Sequence, residues 1–266
     1  MNRYNLYVDG SWLFKLCDAD KILSRRTEER EKPFPLDFLK LTRYVEKQIA
    51  SAFGSAEVRP VTRYIYTSIF NLDGAHAIDQ KLRRNVETRG SFVKSAEEAG
   101  FSSEGIIRVP FKPWMGAKLK AGLYREKLVD TSLVARLVEQ AISDHGDDLV
   151  HVVLAGDVDM LAGIRIVVPD YSQKVVLVTT HPEAFAKDEQ ASSFDLAMFS
   201  FAHGPFFLEK AVEDIIKGRH VYSCSNPDCH RVFSRTEPLP KQTNPFCLGC
   251  AKKRGRGRRL AGSTAL

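Results

Sequence analysis

Five short runs of β-branched and aromatic residues, each separated from the next by longer polar or amphipathic stretches, restrict this chain more than any other feature. The runs cover residues 4–8, 63–67, 106–109, 149–155 and 175–179. Between them, residues 36–52 set Phe38, Leu41, Val45 and Ile49 on one face at helical spacing, and residues 131–142 do the same with Leu133, Val134, Leu137, Val138 and Ala141. Strand then helix, repeated, predicts an α/β fold: a three-layer sandwich with a mostly parallel sheet covered on both faces. Residues 21–35, rich in charge and holding Pro33 and Pro35, read as an exposed insertion.

Composition narrows the class without naming it. At 266 residues, 44% hydrophobic and 27% charged, the chain can bury a core, which excludes fibrous and disordered readings. Its longest apolar stretches, 149–155 and 175–178, fall far short of the roughly 18 to 20 residues a membrane span needs. The first strand-like run begins with no apolar secretion segment ahead of it. The expectation is a protein without membrane association, working in the cytoplasm.

The five cysteines divide into one and four. Cys17 lies in an apolar stretch and reads as a buried small hydrophobe. The others run Cys224-x4-Cys229, seventeen residues, then Cys247-x2-Cys250. Two short pairs on tight turns bring four thiolates to the corners of a tetrahedron, and this spacing suits a structural Zn²⁺ ribbon. Two disulfides are the alternative, which a reducing compartment disfavours. Past the last pair, Lys252, Lys253, Arg254, Arg256, Arg258 and Arg259 stand without an acid, equal to the whole formal net charge of +6. Such a tail is either a solvated end or an arm for nucleic-acid phosphates; Lys252, Lys253 and Arg254 are its first candidates for substrate contact. The expected organisation is a large domain over 1–205, a helix or linker over 206–220, the ribbon over 221–252 and a basic tail over 253–266.

Polar residues that interrupt the apolar pattern cluster at strand ends. Asp9 follows the first strand in Val8-Asp9-Gly10-Ser11, and Asp157 and Asp159 follow the fourth in Ala155-Gly156-Asp157-Val158-Asp159. In an open parallel sheet the carboxyl ends of the strands form the ligand crevice, above all where strand order reverses. Asp130, opening the helix before strand four, is a fourth candidate. Clustered carboxylates need a cation, oxygen-only ligands select Mg²⁺ or Mn²⁺, and such a site is suited to phosphodiester hydrolysis. The plain rivals are a helix cap for Asp130 and ordinary turn residues for the Asp-Gly and Gly-Asp pairs. Of the seven histidines, those at 76, 145, 151, 181, 203 and 220 show no ligand spacing, and His230, next to Cys229, reads as a bystander to the four cysteines. Lys112, Lys118, Lys120, Arg125 and Lys127 surround Trp114, and read either as a loop that holds a phosphate backbone and stacks a base or as a solvated loop.

Taken in order, Tyr7-Val8-Asp9-Gly10, Lys127-Leu128-Val129-Asp130-Thr131-Ser132-Leu133 and Ala155-Gly156-Asp157-Val158-Asp159-Met160 resemble the NYN domain, a branch of the PIN-like metal-dependent nucleases. The resemblance spans roughly residues 1–200. It implies a parallel α/β sandwich and Mg²⁺- or Mn²⁺-dependent endonuclease chemistry, usually on RNA. Asp9, Asp130, Asp157 and Asp159 match the family's acidic positions, and Lys127 matches a lysine that often precedes the second of these. Trp12 stands where the family usually has Asn, Met160 where it often has Phe, and Arg136 where many members carry a further acid. The expected mechanism has Asp9, Asp157 and Asp159 binding one or two ions while Asp130 completes the cluster or orients water. Ser11, Lys127 and Arg136 are the candidates for contact with RNA, and Asp195 for an extra acid. A second reading is a silent RNA-binding or regulatory adaptor that uses the ribbon to recognise RNA or a protein. A third, phosphotransfer through Asp9, is disfavoured by Ser11, where a second aspartate is wanted.

Overall fold

In the computed structural model, the strands and helices that position the site follow from the apolar pattern of the chain. The structure describes residues 1–17, 36–73, 80–120, 126, 128–144, 146–181, 200, 202–217, 220–229, 232–235, 239–240, 242–246 and 250–251. The expected insertion at 21–35, Lys127, Asp195, Cys247, Lys252, Lys253 and Arg254 lie outside these residues.

In chain order the elements are β1 (Asn2–Asp9), α1 (Gly10–Leu16), α2 (Phe38–Phe53), β2 (Val58–Asn71), α3 (Gln80–Glu98), β3 (Ile106–Pro110), α4 (Pro113–Lys120), α5 (Val129–Ser143), β4 (Leu149–Leu154), α6 (Leu161–Tyr171), β5 (Lys174–Thr179), β6 (His203–Phe207), α7 (Val212–Ile215), β7 (His220–Ser223) and β8 (Val232–Arg235). The first six strands form one sheet in the order β3-β2-β1-β4-β5-β6, and every pairing in it is parallel. Strand order therefore reverses between β1 and β4. All five expected strands are present. The sixth, β6, has the sequence His-Gly-Pro-Phe-Phe, and its Gly-Pro pair hides it from a propensity reading; Pro205 is tolerated because β6 is an edge strand.

Both faces of β1 are covered, which is why it reads as nearly continuous apolar sequence. Tyr7 joins Tyr64, Tyr66, Val153, Val175 and Leu177 under Leu133, Leu137 and Ala141 of α5 and Ile164 and Val167 of α6. On the other face, the Tyr4 hydroxyl donates to Glu46 Oε1 of α2 at 3.0 Å, and Phe38, Leu41, Val45 and Ile49 of that helix are all buried as their spacing requires. Phe14 of α1 meets Phe92 of α3 edge-on at 5.5 Å. One irregularity interrupts the β1–β2 ladder. The register slips between Tyr4 and Asn5, so that Tyr4 faces Pro60 but Asn5 faces Thr62. Pro60 has no N–H to give, and past the slip the Asn5 side-chain oxygen accepts from the Thr62 N–H at 3.1 Å.

The chain divides into two compact units: Met1–Lys15 with Thr42–Leu208, which carries the sheet, and Leu16–Leu41 with Glu209–Leu266. The large domain expected over 1–205 did not foresee that 16–41 groups with the carboxyl-terminal part. Within that second unit Leu36 bridges Ile216, Asp37 N–H donates to the Ile215 carbonyl at 2.8 Å, and Lys40 Nζ donates to the Ile216 carbonyl at 2.9 Å. Ile215 and Ile216 are buried, so this part of the segment expected as a helix or linker is packed, and it carries α7. β7 and β8 form an antiparallel hairpin in the same unit. Among the described residues no helix is long and apolar enough to cross a membrane.

His151, in the middle of β4, is fully buried. Its Nδ1 lies 3.0 Å from the Tyr7 hydroxyl, while Nε2 has no hydrogen-bond partner among the described residues. Burial pushes its pKa down from 6.5 to about 4. The unfolded chain therefore binds a proton that the folded chain refuses between those values, so stability is present above pH 6.5 and is lost as pH falls toward 4, by on the order of 3 kcal/mol. In melting curves between pH 7 and pH 4.5, His151→Gln is expected to lose less than the wild type loses. Parallel losses would assign the acid sensitivity to other groups.

Candidate active site

Parallel pairing of β1 with β4 sets Val8 beside Leu154, so the residues that leave both strands emerge together where the sheet order reverses. Two glycines make the close approach workable. A Cβ on Gly10 would lie 2.7 Å from Ile65 Cγ1 and 3.0 Å from the Tyr66 carbonyl oxygen, and one on Gly156 would lie 2.0 Å from the Trp12 indole nitrogen. Neither glycine is there for a left-handed turn. Each is there because a neighbour fills the space of its side chain, Trp12 being buried with its Nε1 facing the Gly156 backbone and unpartnered among the described residues.

Asp9 is 4% exposed and its Oδ1 accepts from the Trp12 N–H at 2.9 Å, capping the first turn of α1. Burial raises its pKa to about 7; Asp130 and Glu126 add to the rise, while the Trp12 N–H and Lys15 oppose it. Asp157 caps the short turn Val158–Met160, accepting from the Asp159 N–H at 3.1 Å. Asp130 is no cap. The capping position of α5 is Leu128, with φ 74° and no side-chain bond, and Ser132 N–H donates to its carbonyl at 2.9 Å. The Asp130 carboxylate, one turn-position inside the helix, is left for other work.

Three of the four expected aspartates meet: Asp130, Asp157 and Asp159 each offer an oxygen, all within 4.8 Å of one another. Asp9 is not in that trio. It stands close enough to Asp130 to raise its own pKa, and Asp130 in turn is raised by burial first and then by Asp157, Asp159 and Glu126. Anions this close oppose one another unless a cation or protons intervene. An oxygen-only set of this kind suits a hard divalent ion such as Mg²⁺ or Mn²⁺.

Glu126 is the acid the sequence reading missed. Its side chain is mostly buried, accepts from the Ser68 N–H at 2.8 Å and from the Ser68 hydroxyl, and pairs with Arg89 at 3.2 Å. The only signal was an acid directly before Lys127, within a stretch whose basic residues drew the attention. Ser11 is buried, its hydroxyl 3.0 Å from that of Thr67. Arg136 points its guanidinium to Glu104 and Glu139, each at 2.9 Å, and over the Tyr64 ring at 5.5 Å. Those contacts account for Arg136 within the fold of the sheet and α5.

In the second unit, Cys224, Cys229 and Cys250 bring their sulfurs within 4.8 Å of one another and form no disulfide among themselves. Asn226 shapes the first knuckle: its carbonyl accepts from the Cys229 N–H at 2.9 Å and its Oδ1 from the Asp228 N–H at 3.3 Å. Its Nδ2 donates to Cys250 Sγ at 3.4 Å, and Ser225 N–H donates to the Pro245 carbonyl at 2.6 Å, holding the two knuckles together. Zn–S bonds of about 2.3 Å put tetrahedral sulfurs roughly 3.8 Å apart, which this cluster could accommodate.

No family model and no curated protein matches the chain. Among solved structures, a protein of unknown function from Vibrio parahaemolyticus is similar at 13% identity and a TM-score of 0.43, covering 81% of this chain and 96% of that one.

The contact between Trp12 and Gly156 gives a direct check on the geometry. Gly156→Ala forces the indole or the Asp157 turn to move, at a cost of about 1 to 3 kcal/mol. The expected result is a lower melting temperature and a weaker stabilisation by Mn²⁺ than in the wild type. An alanine protein that melts and responds to Mn²⁺ as the wild type does would show that the indole is not fixed there.

Proposed function

We propose that this protein is a divalent-metal-dependent endoribonuclease of the NYN, PIN-like type. The observation that carries the reading is the convergence of Asp130, Asp157 and Asp159 at the switch point between β1 and β4, with Asp9 buried beside them. The three aspartates would hold Mg²⁺ or Mn²⁺, and such an ion, when bound, supplies an activated water and offsets charge developing on phosphorus. Asp157 is oriented for this by its bond to the Asp159 N–H. Asp9 is fixed by the Trp12 N–H and stands close enough to Asp130 for the two carboxyls to interact. Glu126, braced by Arg89 and Ser68, extends the acidic wall toward β2. No side-chain nucleophile is required. Lys127, Lys252, Lys253 and Arg254 are assigned to RNA phosphates, Zn²⁺ to the four cysteines including Cys247, and the cytoplasm as the compartment that keeps those thiols reduced.

One observation favours the second reading, a silent RNA-binding adaptor: Asp9 caps α1 and lies outside the mutual reach of the other three acids. The two readings part in one assay. End-labelled single-stranded, hairpin and transfer-type RNAs and DNA are incubated with Mg²⁺ or Mn²⁺ and wild type, Asp9→Asn or Asp157→Asn protein. Metal-dependent cutting that Asp157→Asn lowers about 100-fold or more, with RNA binding retained, is expected from the nuclease. Cutting that is absent, or equal in all three proteins, leaves the adaptor.

The cysteine assignment has its own measurement. Metal analysis of the purified chain is expected to find about one zinc per molecule, and Cys224→Ser or Cys250→Ser to lose it along with the fold of the hairpin. A fully folded, zinc-free wild type would remove zinc from the assignment.

A further inference from the structure

The largest aromatic side chain on the described surface sits where a substrate would need one. Trp114 is 53% exposed, in the first turn of α4, four residues beyond the carboxyl end of β3. β3 runs parallel to β2, which runs parallel to β1, so Trp114 belongs to the same end of the sheet as the aspartates. Two strand spacings of about 4.8 Å place β3 on the order of 10 Å from β1. The stretch that reads from sequence as a loop is a helix, and its base is fixed. Met115 is buried, its N–H donates to the Lys112 carbonyl at 2.9 Å, and Lys112 N–H donates to Met115 Sδ at 3.4 Å. Phe111 meets Phe70 edge-on at 5.8 Å just before the helix.

Above that anchored side, Trp114, Ala117 and Lys118 share the exposed face, and Lys112 is exposed beside them. Lys118 Nζ lies 5.1 Å from the centroid of the indole. An indole beside a small alanine and the Lys118 ammonium, with Lys112 two residues before Trp114 in the chain, offers a π surface bordered by positive charge. The partner that matches is a polyanion whose units also carry flat π faces. Bases in a duplex are already stacked on their neighbours, so only unpaired ones can use the indole.

We propose that Trp114 and Lys118 form a stacking platform for an unpaired base of single-stranded RNA, with Lys118 and Lys112 meeting the adjoining phosphates. This rests on the reading of the acidic site as one that acts on RNA, and adds that the strand must be unpaired near it.

The test is binding, so it does not depend on cleavage. Full-length Asp157→Asn protein, with and without Trp114→Ala, Trp114→Phe or Lys118→Ala, is titrated with a short oligoadenylate and with the same strand annealed to its complement. Tryptophan emission and fluorescence anisotropy are followed, and melting temperatures confirm that each variant folds. The single strand is expected to quench the emission, and the duplex to quench it little. Trp114→Ala should weaken single-strand binding about 5-fold or more, Trp114→Phe should retain most of the affinity, and Lys118→Ala should weaken it and flatten its dependence on salt. Unchanged affinity in Trp114→Ala, as a surface for a protein partner would give, overturns the platform. So does equal quenching by the duplex. A protein that cuts RNA but ignores Trp114→Ala loses the platform and keeps the nuclease reading, whereas stacking without any cleavage does the reverse.

Discussion

The parallel ladder between β1 and β4 is the constraint on which everything else depends. Antiparallel strands would send Asp9 and the 157–159 turn to opposite ends of the sheet. Parallel ones deliver them to the same end, and the reversal of strand order at this point keeps helices from closing over the gap. The hydrogen bonds of the ladder are ordinary. What makes the pairing strong is burial: tyrosines lie under α5 and α6 on one face, and Leu6 and Val8 of β1 are fully buried as well. The core that stabilises β1 thus also holds a row of carboxyl groups at a density that water alone would not favour.

Much of this was readable from the chain because it repeats at fixed periods. The β-branched runs marked β1 to β5 and the spacing of Phe38, Leu41, Val45 and Ile49 marked α2, since burial on a helix face leaves a regular trace in sequence. The misses share a cause as well. β6 escaped because an edge strand accepts Gly204 and Pro205 without losing interior hydrogen bonds. Glu126 escaped because its importance comes from Ser68 and Arg89, 58 and 37 residues away in sequence. The grouping of 16–41 with the carboxyl-terminal unit rests on pairing between Leu36 and Ile216, which no local pattern encodes.

The acidic positions show the same division. That Asp9, Asp157 and Asp159 would stand just past strand ends followed from where β1 and β4 stop, and the place of Asp130 from where α5 begins. Which of them would be spent on backbone N–H groups did not. Asp130 looked most like a cap and is none, because Leu128 takes the capping position with a left-handed backbone. Asp9 and Asp157 read either as site residues or as ordinary turn residues, and each fastens the turn that carries it. A carboxylate that also accepts a backbone N–H loses freedom to rearrange, which keeps its oxygen positions set.

The packing of the Trp12 ring on Gly156 has an evolutionary side. A large ring at one turn and a missing side chain at the other occupy a single volume, so neither position can drift alone. A descendant that shrinks residue 12 opens a hollow behind the aspartates and makes alanine acceptable at 156; one that first enlarges residue 156 meets the ring. The order of the two changes matters, and lineages of this fold that settled on a small residue at the first turn would have had a different set of neighbours open to them at the second.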